Sequence, residues 1–276
     1  MLSVKLYAWT TPAFFQDSIV DHTWVTSYDN RVTPYQTIDD VIEASSNYWY
    51  SWGSFHPGGT ASIAQGAANL KTALYLCKPN KDSREFRDAQ GTIFLYGIDG
   101  VCHQLANQIL WSTGSVNQQP QTVELARGYH VSHALFGQYG LNEDAWIKHR
   151  DGGPQPVTMD LAYSHPKTEA DSFEAHARAV LAGKSKEAKL KKLLKRRKAY
   201  VAATVEVRSK KTIPTAESIN SRVDEFLQGC LEILGPEDFK RVFQIDPRHR
   251  MNLIDPIVYD NTTAAKFKSV KRSNVT

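Results

Sequence analysis

One cysteine of this chain stands where a reactive thiol could form. Cys102 follows a β-branched and aromatic run, 93–98, which predicts a buried strand, and then a glycine-marked turn. Apolar residues recur at helical spacing beyond it, so we expect a helix from 101 to 114 with Asp99 as its N-cap. The first turn of a helix favours a thiolate and can hold an oxyanion. The pattern predicts a nucleophilic Cys102, and the plainer alternative is a small apolar filler.

A cysteine nucleophile needs a base within hydrogen-bonding reach, so the nine histidines come next. His22 lies in a predicted strand, 19–28, of the core sheet and is the candidate general base. The alternative for His22 is a core histidine bonded to a backbone carbonyl. His56 ends a later aromatic strand, 47–56, and is the candidate that orients His22. The alternatives for that orienting role are Asp29, Asn47, Ser51 and Ser54.

The histidines near Cys102 and on the following helix are weaker candidates. His103 points about 100° away from Cys102 on a helix, which makes it a poor base for its neighbour. His130 and His133 are three residues apart on one helix face, but no third ligand at suitable spacing joins them. We therefore expect neither a metal nor another cofactor.

Composition divides the chain into two regions. An N-terminal α+β domain, 1–156, ends at the Gly/Pro-rich linker 151–156, and a mostly helical C-terminal region, 157–276, follows. Further N-terminal expectations are a strand at 2–9, helices at 38–45 and 61–76, and a helix at 122–136 bent at Gly128. The C-terminal expectations are helices from 168 to 207 with a break at Gly183, at 216–234 and at 237–243, and a frayed tail from Tyr259.

Positive charge is concentrated in one segment of the C-terminal region. The segment from Lys184 to Lys211 holds twelve Lys or Arg against Glu187 and Glu206, whereas the whole chain has a net charge of only +4. Such a segment attracts phosphates independently of sequence, so it is a candidate site for nucleic acid, an anionic membrane surface or an acidic partner. The plainer interpretation is the solvated face of a long helix packed by its leucines.

The order of the candidate residues resembles that of a known family. His22 in Asp21-His-Thr-Trp24 comes first, His56 follows on another strand, and Cys102 comes much later at a helix start. This order resembles the circularly permuted branch of the NlpC-type papain-like hydrolases, which includes the lecithin:retinol acyltransferase relatives. The resemblance covers residues 1–115. It implies an antiparallel papain-like sheet packed on helices, whereas the helical C-terminal region resembles no family.

The resemblance also implies a chemistry. Cys102 would attack an amide carbonyl, His22 would transfer the proton, and His56 would orient His22, through a thioester intermediate. The implied substrates are peptidoglycan stem peptides or related amide-linked peptides, with acyl transfer from lipids a lesser alternative. A different class of function is a non-enzymatic binding protein that uses the basic segment 184–211.

Composition limits where such a protein would work. Only three cysteines are present, at wide spacing, which argues against a disulfide framework and favours a reducing compartment. No apolar run approaches the roughly 20 residues that span a bilayer, and the N-terminus has no signal-peptide pattern. We therefore expect cytoplasmic synthesis, with non-classical secretion as the route if the protein is exported.

Overall fold

The computed structural model describes residues 4–13, 19–29, 49–51, 53–54, 62–64, 74–75, 91–112, 122–142, 172–207 and 213–265. Its strands are β1 (Val4–Pro12), β2 (Asp21–Asp29), β3 (Trp49–Ser51), β4 (Gly53–Ser54), β5 (Ser62–Ala64), β6 (Leu74–Tyr75) and β7 (Gly91–Thr92). Its helices are α1 (Cys102–Ser112), α2 (Tyr129–Phe136), α3 (Ser172–Val180), α4 (Glu187–Val207), α5 (Ala216–Leu234), α6 (Pro236–Phe243) and α7 (Pro256–Tyr259). A 3₁₀ turn, Lys184–Lys186, precedes α4, and a π-helical turn, Asp260–Ala264, follows α7.

The predicted α+β fold, a papain-like sheet packed on helices, is wrong because the described part of the chain is mostly helical. The longest strand pairing is the antiparallel ladder of β1 and β2, from Val4 opposite Asp29 to Pro12 opposite Asp21. β6 adds two residues to β1, and among the described residues the remaining strands pair as β3 with β5 and β4 with β7. Over the described ranges, no strand residue belongs to the main hydrophobic cluster. The helices from α2 onward bury their apolar faces mainly against one another, whereas α1 lies against β2.

The long C-terminal helices follow the predicted boundaries. α5 spans the predicted range 216–234, and its N-cap Thr215 accepts a hydrogen bond from the Ser218 N–H at 3.1 Å. The expected break near Gly183 separates α3 from α4, and α6 lies where a short helix was expected. Apolar residues at helical spacing had predicted these elements, and the buried Leu190 and Leu193 of α4 confirm that its apolar stripe packs inward.

Several local predictions are wrong. Two described parts of the helix expected at 61–76 are the strands β5 and β6, and the residues between these strands lie outside the described ranges. Residues 93–98 form turns instead of a strand. The helix expected at 122–136 begins only at Tyr129, after Gly128 takes a left-handed φ of 82°. Tyr259 is 1% exposed, so the tail is not frayed at that point. The helix expected at 38–45 and the linker at 151–156 lie outside the described residues.

The hydrophobic core contains residues from both sides of the predicted boundary at 156. Val101 and Phe136 belong to the same buried cluster as Phe173 and Phe243. Arg197 of α4 strengthens the connection, since its Nε donates to the Ala134 carbonyl at 2.7 Å and its guanidinium lies 5.1 Å from the Phe173 ring centroid. Helix α2 and the residues just before α1 therefore pack with the C-terminal helices.

The helices were also compared with the length and hydropathy that a bilayer requires. Among the described residues, no helix is both long enough and apolar enough to cross a membrane.

Candidate active site

Cys102 begins helix α1, as the sequence predicted. The N–H of Val101 donates to Gln104 Oε1 at 3.1 Å, which is one half of a capping box and fixes the first turn. Cys102 Sγ lies 4.0 Å from the Asp21 carbonyl oxygen. The thiol therefore faces the start of β2, and its residue is half-buried.

The environment of the Cys102 thiol has opposing effects on its pKa. Burial raises the pKa above its usual value, because an enclosed thiolate loses its hydration. Polar contacts from Thr23 and the backbone N–H groups of Cys102 and His103 lower it, as expected for a helix start. Burial is the larger effect, so the thiol is protonated at neutral pH. A nucleophilic role at this position would need a base that removes the proton.

His22 lies in β2 between Asp21 and Thr23, which both approach the thiol. Its ring stacks on Trp24, with centroids 5.8 Å apart and an interplanar angle of 16°. Burial lowers the pKa of His22 to about 4, and the charge of Asp255 opposes that shift. The imidazole is therefore neutral at pH 7 and can accept a proton. The orienting candidates His56 and Asn47 lie outside the described residues.

Asp29, Ser51 and Ser54, the remaining orienting candidates, lie at the end of β2 and in the short strands β3 and β4.

His103 has a structural position. Its Nε2 donates to the Asp21 carbonyl at 2.9 Å, and its Nδ1 is 2.8 Å from Ser132 Oγ. The residue is fully buried, which lowers the pKa of the imidazole to about 4. In the neutral ring, Nε2 carries the proton, and Nδ1 faces the Ser132 hydroxyl, which also lies 2.9 Å from the Tyr129 carbonyl oxygen. Both ring nitrogens are thus committed to holding α1 against β2 and α2.

An ion pair anchors the start of β2 beside the thiol. The carboxylate of Asp21 accepts from Arg127 Nε at 2.8 Å, from Arg127 Nη2 at 2.7 Å and from the Arg127 N–H at 3.0 Å. The Asp21 N–H donates in return to the Arg127 carbonyl at 3.0 Å. Asp21 therefore has a positioning role for the strand that carries His22.

Helix α1 also carries a row of buried amides that the sequence analysis did not identify. Gln104 Nε2 donates to the Gly137 carbonyl at 3.1 Å, Asn107 Nδ2 to Gln138 at 2.8 Å, and Gln108 Nε2 to Tyr139 at 2.7 Å. Their spacing could have indicated a shared role, since positions 104, 107 and 108 lie on one helix face. These bonds satisfy the carbonyls that follow α2 and fix the direction of α1.

The two histidines of α2 each contact a residue of α3. The His130 ring stacks on His176 of α3 with centroids 4.3 Å apart, and His133 Nε2 is 2.6 Å from Ser172 Oγ. No group of three or more metal-ligand side chains occurs in the described part of the chain. These contacts give His130 and His133 a packing role between α2 and α3.

Comparisons with known proteins found no relative of this chain. No family model matches this chain. No curated protein and no solved structure is significantly similar to it either.

Proposed function

We propose that this protein is a cysteine-dependent hydrolase of amide bonds, with Cys102 as nucleophile and His22 as general base. The supporting observation is the position of the thiol, in the first turn of α1 and 4.0 Å from the carbonyl of the residue before His22. The thiol of Cys102 is protonated and the imidazole of His22 is neutral at pH 7, which are the protonation states from which a general base works.

The proposed reaction has two halves. His22 takes the thiol proton as Sγ bonds to the amide carbonyl carbon, and N–H groups at the start of α1 are available to the oxyanion. The C–N bond then breaks, the leaving amine takes the proton from His22, and a thioester remains on Cys102. Water attacks the thioester with His22 again as base, which releases the carboxylic acid and restores the thiol.

The first substrates to assay are amide-linked peptides, with peptidoglycan stem peptides as the initial class. The assay measures release of a primary amine and of the matching carboxylic acid. Wild type is expected to release both, whereas Cys102→Ala releases neither because it lacks the nucleophile. Equal turnover by the two proteins would exclude Cys102 as the nucleophile.

A second candidate function, polyanion binding, is favoured by the outer face of α4. Lys191, Lys195 and Lys198 follow at helical spacing of four and three residues, and Lys192 adjoins them. All four are exposed, and none forms an ion pair with another residue in the described ranges. They lie opposite the buried Leu193, so the stripe is fully presented to solvent.

The other basic residues of this segment are used for packing. Lys186 and Lys189 donate to the carboxylate of Asp238 at 2.7 and 2.9 Å, and Arg196 Nε donates to the Phe226 carbonyl at 3.0 Å. Within residues 186–207, the exposed lysines without an ion pair to a described residue are thus the four of this stripe. With no aromatic side chain in that stripe, base stacking has no partner, so the proposed ligand is nucleic acid held by its phosphates without sequence preference.

Two variants test the stripe, one that removes its four positive charges and one that keeps them. Replacing Lys191, Lys192, Lys195 and Lys198 by Gln is expected to weaken binding of duplex DNA and to reduce the slope of log K against log salt by about 3 to 4. The matched Lys→Arg variant keeps the charge and is expected to bind like wild type. Equal affinity of the Gln and Arg variants, or binding only to anionic vesicles, would overturn nucleic-acid binding by this stripe.

A further inference from the structure

Two serine hydroxyls in the described part of the chain lie within hydrogen-bonding distance of a histidine ring. Ser132 Oγ is 2.8 Å from His103 Nδ1, and Ser172 Oγ is 2.6 Å from His133 Nε2. A histidine in such a contact can remove the hydroxyl proton and so activate the serine as a nucleophile. The two contacts differ in burial and in their other partners, and these differences determine which serine can react.

The contact between Ser132 and His103 is structural. Both residues are fully buried, and the other ring nitrogen of His103 is bonded to the Asp21 carbonyl oxygen at 2.9 Å. The Ser132 hydroxyl also lies 2.9 Å from the Tyr129 carbonyl oxygen. A carbonyl oxygen accepts a hydrogen bond but does not take the proton. No substrate reaches this hydroxyl, so the pair serves only to hold α1 against α2.

Ser172 is in a different situation because it is half-buried. Among the described residues, its hydroxyl is bonded to His133 Nε2 and to no other group. The separation of 2.6 Å is at the short end of the range for hydrogen bonds between side chains. His133 itself is buried. The hydroxyl is therefore accessible from solvent, whereas the base that would take its proton is enclosed.

The ring of His133 is held by aromatic neighbours. Its centroid lies 5.3 Å from that of Tyr129 and 5.8 Å from that of Phe173, whose ring packs edge-on at 87°. Phe173 follows Ser172 in the chain and is fully buried, so the same packing positions the serine. A nucleophile and a base that are both fixed by packing keep the geometry that proton transfer requires.

Ser172 is also the first residue of helix α3, which has nine residues. The first N–H groups of a helix have no partner within the helix, and the positive end of the helix dipole favours negative charge nearby. Both effects stabilise an alkoxide on Ser172 and an oxyanion that forms beside it. The helix start therefore supports the chemistry that the contact with His133 makes possible.

We propose that Ser172 and His133 form a second hydrolytic site, with Ser172 as nucleophile and His133 as general base, and that its substrates are carboxylic esters. The proposal is independent of amide hydrolysis by Cys102, since neither residue takes part in that reaction. Esters are the expected class because the leaving oxygen of an ester needs less protonation than the leaving nitrogen of an amide.

The reaction proceeds through an acyl-serine. The Ser172 hydroxyl gives its proton to His133 Nε2 as Oγ bonds to the ester carbonyl carbon. The bond between that carbon and the alcohol oxygen breaks, and the leaving alkoxide takes the proton from His133. Water then attacks the acyl group on Ser172 with His133 again as base, which releases the carboxylic acid and restores the hydroxyl.

A fluorophosphonate reagent tests the reactivity of Ser172, because it phosphonylates activated serines with loss of fluoride. Peptide mapping of the labelled full chain should find the adduct on Ser172. Ser132 and the exposed Ser218 of α5, which is not bonded to a described histidine, are internal controls and should carry no adduct. His133→Gln keeps a polar side chain beside Ser172 but removes the base, so it should slow labelling about 100-fold.

Hydrolysis of p-nitrophenyl acetate tests the activity itself, in the Cys102→Ala variant so that the thiol does not contribute. Adding Ser172→Ala should lower the rate about 100-fold or more, while far-UV circular dichroism shows that the fold is retained. A wild type without an adduct on Ser172, labelling that His133→Gln does not slow, or equal ester hydrolysis with and without the Ser172 hydroxyl would each overturn the second site. Failure of amide hydrolysis would overturn only the role of Cys102.

Discussion

Replacing Cys102 or His22 by alanine should reduce amide hydrolysis by about 10³-fold or more. The raised pKa of the thiol makes the nucleophile dependent on its base, so neither residue works without the other. The double variant should therefore be no slower than the slower single variant. The measurement is kcat/KM for one peptide substrate across the three variants and wild type.

Cys230→Ala is the matched control for loss of a thiol. Cys230 is fully buried in α5, and burial raises its pKa to about 12, so its thiol is not reactive at neutral pH. The variant should lose some stability through a small cavity but keep its turnover. If His22→Ala unfolds the protein, or if turnover survives Cys102→Ala, the pair is not a catalytic unit. Far-UV circular dichroism distinguishes unfolding from loss of chemistry.

The second large effect is a loss of stability in mild acid. His103 and His130 are buried with their pKa lowered to about 4 by burial, compared with an ordinary value of 6.5. A lowered pKa means that the unfolded chain binds protons first. Stability is therefore complete above pH 6.5 and falls as the pH drops toward 4. Below pH 4, the protonation of each histidine lowers the free energy of unfolding by about 3 kcal/mol.

Urea unfolding at pH 7 and pH 5 measures this effect. We expect a decrease in the free energy of unfolding of about 2 kcal/mol for each of the two histidines at pH 5. The ion pairs of Asp238 add to the loss only below its usual pKa of 3.8, because its folded pKa is lowered. A stability that is equal at both pH values would contradict the neutral, buried state of His103 and His130.

The sequence predicted the helices whose signals are local. The range 216–234 has a Thr cap, a strong apolar period and a Gly-Pro stop, and α5 fills it. The position of Cys102 at a helix start was likewise predicted, because a glycine turn precedes apolar residues at helical spacing. In both cases, the residues that determine the element lie within or beside it.

The incorrect predictions depended on contacts between distant parts of the chain. The apolar run 93–98 suits a strand, but it forms turns that the C-terminal segment covers. A short apolar run cannot distinguish a buried strand from a buried turn, and this ambiguity led to the incorrect sheet. Tyr259 is in a polar stretch that looks frayed, although it is buried. The hydrogen bond between Asp255 and Tyr96 could not be predicted either, because the two residues are 159 positions apart.

Acid-quenched mass spectrometry of the wild-type protein during turnover tests most directly whether Cys102 is the nucleophile. Peptide mapping should find the acyl half of the substrate bound as a thioester to the fragment that contains Cys102, and Cys102→Ala should carry no adduct. Turnover without an adduct on Cys102, or an adduct on another residue that persists in Cys102→Ala, would contradict the proposed mechanism.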